Sequence, residues 1–142
     1  DYLRALGAKE LIDRSLLSAP DKPLQKERWA GAIDSVGGVT LANVCAQTRR
    51  SGTVASCGLA GGMDFPATVA PFILRGVTLA GIDSVMAPIE RREAAWNMLA
   101  TQLPAEQLAA MAHEVPLAGA FEVARDILAG RIRGRTVVDV TR

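Results

Sequence analysis

The chain has 142 residues, 49% apolar and 22% charged, with a formal net charge of +1. That is long enough for one domain with a real core and too apolar for a disordered chain. A pI near 8.0 and the lack of a block of like charge argue against a nucleic-acid binder, whose pI usually exceeds about 9. No apolar run reaches the roughly 18 residues of a membrane span, and two cysteines with one histidine exclude a disulfide framework or a four-ligand zinc site.

In chain order, Tyr2, Leu3 and Leu6 share a helix face that Gly7 stops. Residues 10–14 predict a short strand. Two prolines within 18–23 forbid a continuous helix and predict a turn-rich loop. A short helical stretch around 24–29 leads into a strand at 32–36. Residues 39–50 read as a helix with Leu41, Val44, Cys45 and Thr48 on one face, and 53–57 as the next strand. Residues 58–62 are too glycine-rich for regular structure, 66–74 form a short apolar helix or turn, and 77–82 form a strand.

Pro88 opens a helix to about residue 103 with Ala94, Ala95, Met98 and Leu99 inward. Pro104 breaks it, and 105–112 add a further turn or two, with His113 at a polar helical end on the surface. Residues 115–117 read as extended. A last helix spans 118–129 on the face Phe121, Ala124, Ile127 and Leu128; Gly130 stops it, and 136–140 close as a strand that need not join the same sheet. Cys45, on a helix, and Cys57, in a strand, default to buried free thiols. No initiator Met is present and the chain opens inside a helical pattern, so it reads as part of a longer protein.

Three apolar runs organise the rest: Gly31-Ala-Ile-Asp-Ser-Val-Gly-Gly38, Gly52-Thr-Val-Ala-Ser-Cys-Gly-Leu-Ala-Gly-Gly62 and Gly76-Val-Thr-Leu-Ala-Gly-Ile-Asp-Ser-Val85. Each reads as a buried strand opening into a loop of small residues. Strand–helix alternation favours a parallel sheet, and ligands of such sheets lie outside the strands' carboxyl ends. The fold class is α/β: the later half of a Rossmann doubly wound parallel sheet, plus a C-terminal helix and strand. No G-x-G-x-x-G phosphate loop is present.

The chain resembles the medium-chain dehydrogenase/reductase superfamily, in its zinc-independent, quinone-oxidoreductase-like branch, and within it most closely the NADPH-dependent acrylyl-CoA reductases. The resemblance is carried by Leu6-Gly-Ala8, Trp29-Ala-Gly-Ala-Ile-Asp34 with Val36-Gly37, and Ser56-Cys-Gly-Leu-Ala-Gly-Gly62. It continues through Pro71-Phe-Ile-Leu-Arg75, Gly81-Ile-Asp-Ser-Val-Met86, Glu90-Arg-Arg92 and Gly134-Arg-Thr-Val-Val138. It implies that residues 1–113 are the C-terminal part of an NADP-binding Rossmann domain and that 114–142 return into a catalytic domain. In the strand order 3-2-1-4-5-6, residues 11–13 would be strand 3.

The implied activity is NADPH-dependent reduction of the C=C bond of an α,β-unsaturated acyl-CoA. A quinone or enone reductase on the same fold, or a non-catalytic dimerisation module, are the alternatives. Glycine lets the main chain approach a carboxamide closely, so Cys57, Gly58, Leu59 and Ala60 are cofactor candidates, with Ser35, Val36 and Gly37 at the adjacent strand end. The resemblance adds Ile73, Asp83 and Ser84 beside the nicotinamide, and Arg131 near the phosphates. Arg75 is left between an acyl-CoA contact and a subunit interface, and Asp34 is read as able to orient a loop. No catalytic or metal-binding residue is assigned. The partners are an enoyl-thioester or enone substrate and a second copy paired through edge strand 77–82. Neither nucleic acid nor membrane is expected, and the compartment is the cytoplasm.

Overall fold

Hydrogen bonding at both ends of one helix decides how the first strands assemble. The computed structural model describes residues 2–142, and the chain divides into two units, Asp1–Ala87 and Pro88–Arg142. The first contains α1 (Tyr2–Ala5), β1 (Trp29–Asp34), α2 (Gly38–Gln47), β2 (Thr48–Ser56), α3 (Ala70–Arg75) and β3 (Thr78–Gly81). The strands form one parallel sheet in the order β1-β2-β3.

Ala32, Val54 and Leu79 stand in register across the sheet. They face a core of Leu17, Leu41, Val44, Cys45 and Val77. The helical face expected from Leu41, Val44, Cys45 and Thr48 is thus the buried one. Successive strand residues alternate between faces. Ile33, Ala55 and Ala80 therefore form the opposite ladder, where Ile33 is 85% exposed.

Several boundaries differ from the sequence reading. Residues 10–14 form no strand: Asp13 accepts the backbone N–H of Ser15 at 2.8 Å and caps a 3-10 turn, Arg14–Leu17. This bond holds the Asp13 carboxyl below its ordinary value. A strand needs a paired neighbour, and among the described residues 10–14 have none.

The segment around 24–29 is extended rather than helical. The N–H groups of Gln25 and Arg28 donate to the carbonyls of Ala46 and Gln47, at 3.0 and 2.8 Å, which a local helix would forbid. The helix α2 stops at Gln47, three residues before the expected 50. The Thr48 hydroxyl bonds back to Val44 O at 2.8 Å. The chain then enters β2 directly, looping out between the Trp29↔Thr48 and Gly31↔Thr53 pairs, with Ser51 at φ 60°.

Arg75 locks this arrangement. Its guanidinium donates to Gln25 O at 2.6 Å, Ala46 O at 2.8 Å and Thr48 O at 3.4 Å, and lies 3.4 Å from the Glu27 carboxylate. The last carbonyls of a helix have no partner within the helix, and here a distant arginine takes one of them. These internal bonds are a role that the sequence reading of Arg75, left between an acyl-CoA contact and a subunit interface, did not include. Asn43 does similar work above: Nδ2 donates to Leu17 O and Ala19 O, holding the loop before β1.

The second unit contains α4 (Ile89–Gln102), α5 (Ala105–Met111), β4 (Ala112–Pro116), α6 (Ala120–Leu128) and β5 (Arg135–Asp139). β4 and β5 pair in parallel as a separate sheet. His113 lies in β4 opposite Thr136, not at a helix end. The inward faces expected of the helices are not covered among the described residues. Met98 and Leu99 are exposed, and Phe121 and Leu128 are 83% and 90% exposed. Periodicity marks a face able to be buried; burial itself requires an opposing surface. No described helix is long and apolar enough to cross a membrane.

At the C-terminal end, Thr141 and Arg142 bond the Asp139 carboxylate, the Thr141 hydroxyl at 2.6 Å and Arg142 Nε at 2.6 Å. These contacts, led by Thr141, hold that carboxyl below its ordinary value. A depressed carboxyl stabilises the fold above its unfolded pKa, and that contribution is lost as pH falls through the folded value.

Arg75→Met should cost about 1–3 kcal/mol in urea unfolding, because it takes the guanidinium donors from the Gln25 and Thr48 carbonyls and leaves Ala46 O only the Gln25 N–H. Glu27→Gln, which removes only a part-exposed ion pair, should cost below about 1 kcal/mol. Equal losses would assign the effect to the ion pair instead.

Candidate functional site

The loops after β1 and β2 are stitched to each other by main-chain hydrogen bonds. β1 ends at Asp34, before the expected residue 36, because its buried side chain turns the chain. Oδ2 accepts the N–H of Gly37 at 2.8 Å and of Val36 at 3.2 Å. Across the sheet, Cys57 N–H donates to Asp34 O at 2.8 Å, Ala60 N–H to Ser35 O at 3.2 Å and Gly61 N–H to Val36 O at 2.7 Å. These bonds use the amides of Cys57, Ala60 and Gly61 and skip those of Gly58 and Leu59.

The loops approach too closely for larger residues. A Cβ at Gly58 would stand 2.6 Å from Ser35 O, and one at Gly37, where φ is 73°, 2.7 Å from Gly62 O. Glycine alone accommodates both the approach and the positive φ. Gly61 meets Val36 in the same way, its Cβ position 2.9 Å from Val36 Cγ1. The sequence reading marked residues 58–62 only as irregular; the pairing of Gly61 and Gly62 with 36–37 was signalled solely by glycine density.

On the far side, Ile82 N–H donates to Ser56 O at 2.9 Å, extending the β2–β3 ladder past Gly81. Asp83 Oδ1 then accepts the N–H of Val85 at 2.9 Å and of Met86 at 3.0 Å, turning the chain at Ser84. An open groove is lined by Ser56, Cys57, Gly58, Leu59, Gly81, Ile82 and Asp83.

The structure thus brings together Ser35, Val36, Gly37 and Cys57–Ala60, and sets Asp83 beside that group. Ile73 is exposed on α3 and is not among the groove's lining residues. Arg131 belongs to the second unit, where Nε and a terminal nitrogen both bond Asp126 Oδ1. That solvent-facing pair uses two of the three guanidinium nitrogens. Among the described residues, no cluster of His, Cys, Asp or Glu could hold a metal.

The cysteines divide differently from the expectation that both are buried. Cys45 is fully buried, and its thiol is pushed up to about 11, first by desolvation and then by the nearby Asp34 charge. Cys57, by contrast, is exposed. It lies one residue past the end of β2, and its Sγ is 3.3 Å from Asp34 O.

No family model matches the chain. It is 48% identical over 141 residues to acrylyl-CoA reductase AcuI of Ruegeria pomeroyi, covering 99% of this chain and 43% of that protein. The crystal structure of the yhdH oxidoreductase of Salmonella enterica, in complex with NADP, superposes with a TM-score of 0.94 at 48% identity, over 98% of this chain and 43% of that one. The NAD-bound structure of Bacillus subtilis yhfP superposes at 0.91 with 44% identity, over 99% and 43%. The chain is thus similar, over nearly its whole length, to part of each of these oxidoreductases.

The chain matches the C-terminal part of their fold. It spans 43% of the length of AcuI.

Gly58→Ala should lower stability by about 1–3 kcal/mol in thermal or urea unfolding, since the facing atom is a backbone carbonyl that cannot swing aside. Gly81→Ala, with nothing within 4 Å of its Cβ position, should stay within about 1 kcal/mol of the parent. Equal effects would show that the loops can part.

The thiols give a second check. Cys57 should react with a thiol reagent at pH 8 and Cys45 only on unfolding. With an ordinary value of 9.0 and a folded value of about 11, Cys45 is protonated longer in the folded chain. Stability should therefore fall as pH rises from about 9 to about 11, by at most about 1.4 kcal/mol per pH unit. Cys45→Ala should remove that slope in a pH series of urea melts.

Proposed function

We propose that this chain is the nicotinamide-side part of an NADPH-dependent reductase of α,β-unsaturated acyl-CoA thioesters. The observation that carries the reading is an open groove at the ends of the parallel strands β2 and β3, its β2 loop bonded to the loop after β1, with backbone amides of Gly58 and Leu59 outside the loop-to-loop bonding. The 48% identity to AcuI, named an acrylyl-CoA reductase, supports the substrate class. The NADP complex of yhdH supports the cofactor.

The residues present fit such a cofactor. A carboxamide needs donors and acceptors at close range, and the Gly58 and Leu59 amides beside the groove take no part in the loop-to-loop bonds. Cys57, Gly58, Leu59 and Ala60 would hold the carboxamide, and Ser35, Val36 and Gly37 would lie on the adenosine or pyrophosphate side. Asp83 and Ser84 border the nicotinamide, with Ile73 nearby and Arg131 near the phosphates.

When bound, NADPH supplies a hydride to the β-carbon of the thioester, and a proton is added at the α-carbon. The chain's own share is to orient the ring and keep its face toward the acceptor. No catalytic acid is assigned to it.

Residues 1–113 are proposed as nucleotide domain and 114–142 as the return into a catalytic domain. In contacts, helices α4 and α5 group with the residues after them, so placing 88–113 in the nucleotide domain rests on the resemblance. A homodimer pairing through residues 77–82 and a cytoplasmic location complete the proposal. Pairing of that edge would blunt it against aggregation. A quinone acceptor is the second reading, favoured by Bacillus subtilis YhfP, which is provisionally named a quinone oxidoreductase and is 45% identical over 140 residues.

The intact protein should bind NADPH with a dissociation constant on the order of micromolar and consume it with acrylyl-CoA faster than with a quinone. Faster consumption with the quinone would favour the second reading. Dimer formation without NADPH binding would sink both and leave an association module.

A further inference from the structure

Among the described residues, Asp34 is the one buried carboxylate, and the proposed cofactor contacts leave it unused. It shares a sheet face with Ala32, the face that α2 covers, because strand side chains alternate. Its Oδ2 accepts the N–H of Val36 and of Gly37, at 3.2 and 2.8 Å, just ahead of the first turn of α2. A negative charge is favoured at a helix N-terminus. α2 has no side-chain cap of its own, its N-cap being Gly37. The same residue's carbonyl oxygen accepts Cys57 N–H at 2.8 Å and faces Cys57 Sγ at 3.3 Å. One residue thus holds the first loop through its side chain and the second through its main chain.

We infer that Asp34 is a positioning residue that fixes the two cofactor-holding loops, 35–37 and 57–60, in a single mutual geometry before NADPH arrives. This inference rests on the functional reading above. The backbone groups that would face the carboxamide have no side-chain freedom with which to adapt. Their placement depends on where Ser35 and Cys57 leave the sheet, and both depart from contacts with Asp34. Preorganisation of this kind lowers the ordering cost of binding, so losing it weakens cofactor affinity without touching the cofactor.

The experiment is amide hydrogen exchange and NADPH titration on the intact protein, for the parent, Asp34→Asn and Asp34→Ala. In the parent, the amides of Val36, Gly37 and Cys57 should exchange at least about tenfold slower than in a free peptide, although Val36 and Cys57 are exposed and all three lie in loops. Asp34→Ala should release Val36 and Gly37 while the strand amides of Ala32 and Val54 stay protected. Its NADPH dissociation constant should rise about tenfold. Asp34→Asn retains one acceptor oxygen and should restore most of both readouts. In steady state, the KM for NADPH should rise in Asp34→Ala with the KM for the thioester unchanged.

Unprotected Gly37 in the parent, or an Asp34→Ala protein that keeps both protection and affinity, would overturn the positioning role. A parent with protected loop amides that does not bind NADPH would overturn the functional reading, and the role in cofactor binding with it.

Discussion

Arg75 donates to carbonyls from three places in the chain: Gln25 before β1, Ala46 at the end of α2 and Thr48 at the start of β2. Main-chain bonds from Gln25 and Arg28 to Ala46 and Gln47 join the same segments. The guanidinium adds to them because its planar fork of donors meets several carbonyls at once, which an ammonium on a flexible stem does less well. With α2 held at its C-terminal end, residues 24–28 run extended beside it and deliver Trp29 into β1 opposite Thr48. The register of the first two strands, and hence the level at which both end, follows from that junction.

The parts of the fold legible in the sequence are those decided by short-range pattern. The three apolar runs became three parallel strands, with Ala32, Val54 and Leu79 in register toward the core. Gly7 and Gly130, at φ 103° and 66°, stop their helices as read. The failures share a cause. Residues 24–29 have helical composition, but tertiary hydrogen bonds to Ala46 and Gln47 hold them extended. The turn at Asp34 shortened β1 through a side-chain bond that no hydrophobic pattern encodes. For α4 and α6 the periodicity identified the apolar faces, yet no described residue covers them.

The candidate site was legible in the same uneven way. Glycine density at 58–62 and the chain order of the strands marked where the main chain comes close. That Gly37 meets Gly62, and Gly58 meets Ser35, depends on the level at which neighbouring strands end, a property of register. Arg75 and Arg131 show the limit from the other side: an arginine near an expected ligand has no assigned duty until its partners are known. One proved to be an internal clamp and the other pairs with Asp126.

A site made of main-chain groups has a particular sensitivity. Side chains at Ser35, Val36, Cys57 and Leu59 are exposed, so exchanging them changes the lining while leaving the loop path intact. A single methyl at Gly58, or loss of the carboxylate at Asp34, acts on the path itself and moves every backbone donor together. Binding affinity in such a site is governed less by the residues that touch the ligand than by those that decide where the chain turns. The loops are therefore held by bonds among themselves, and the apolar core beneath them sets only the plane from which they rise.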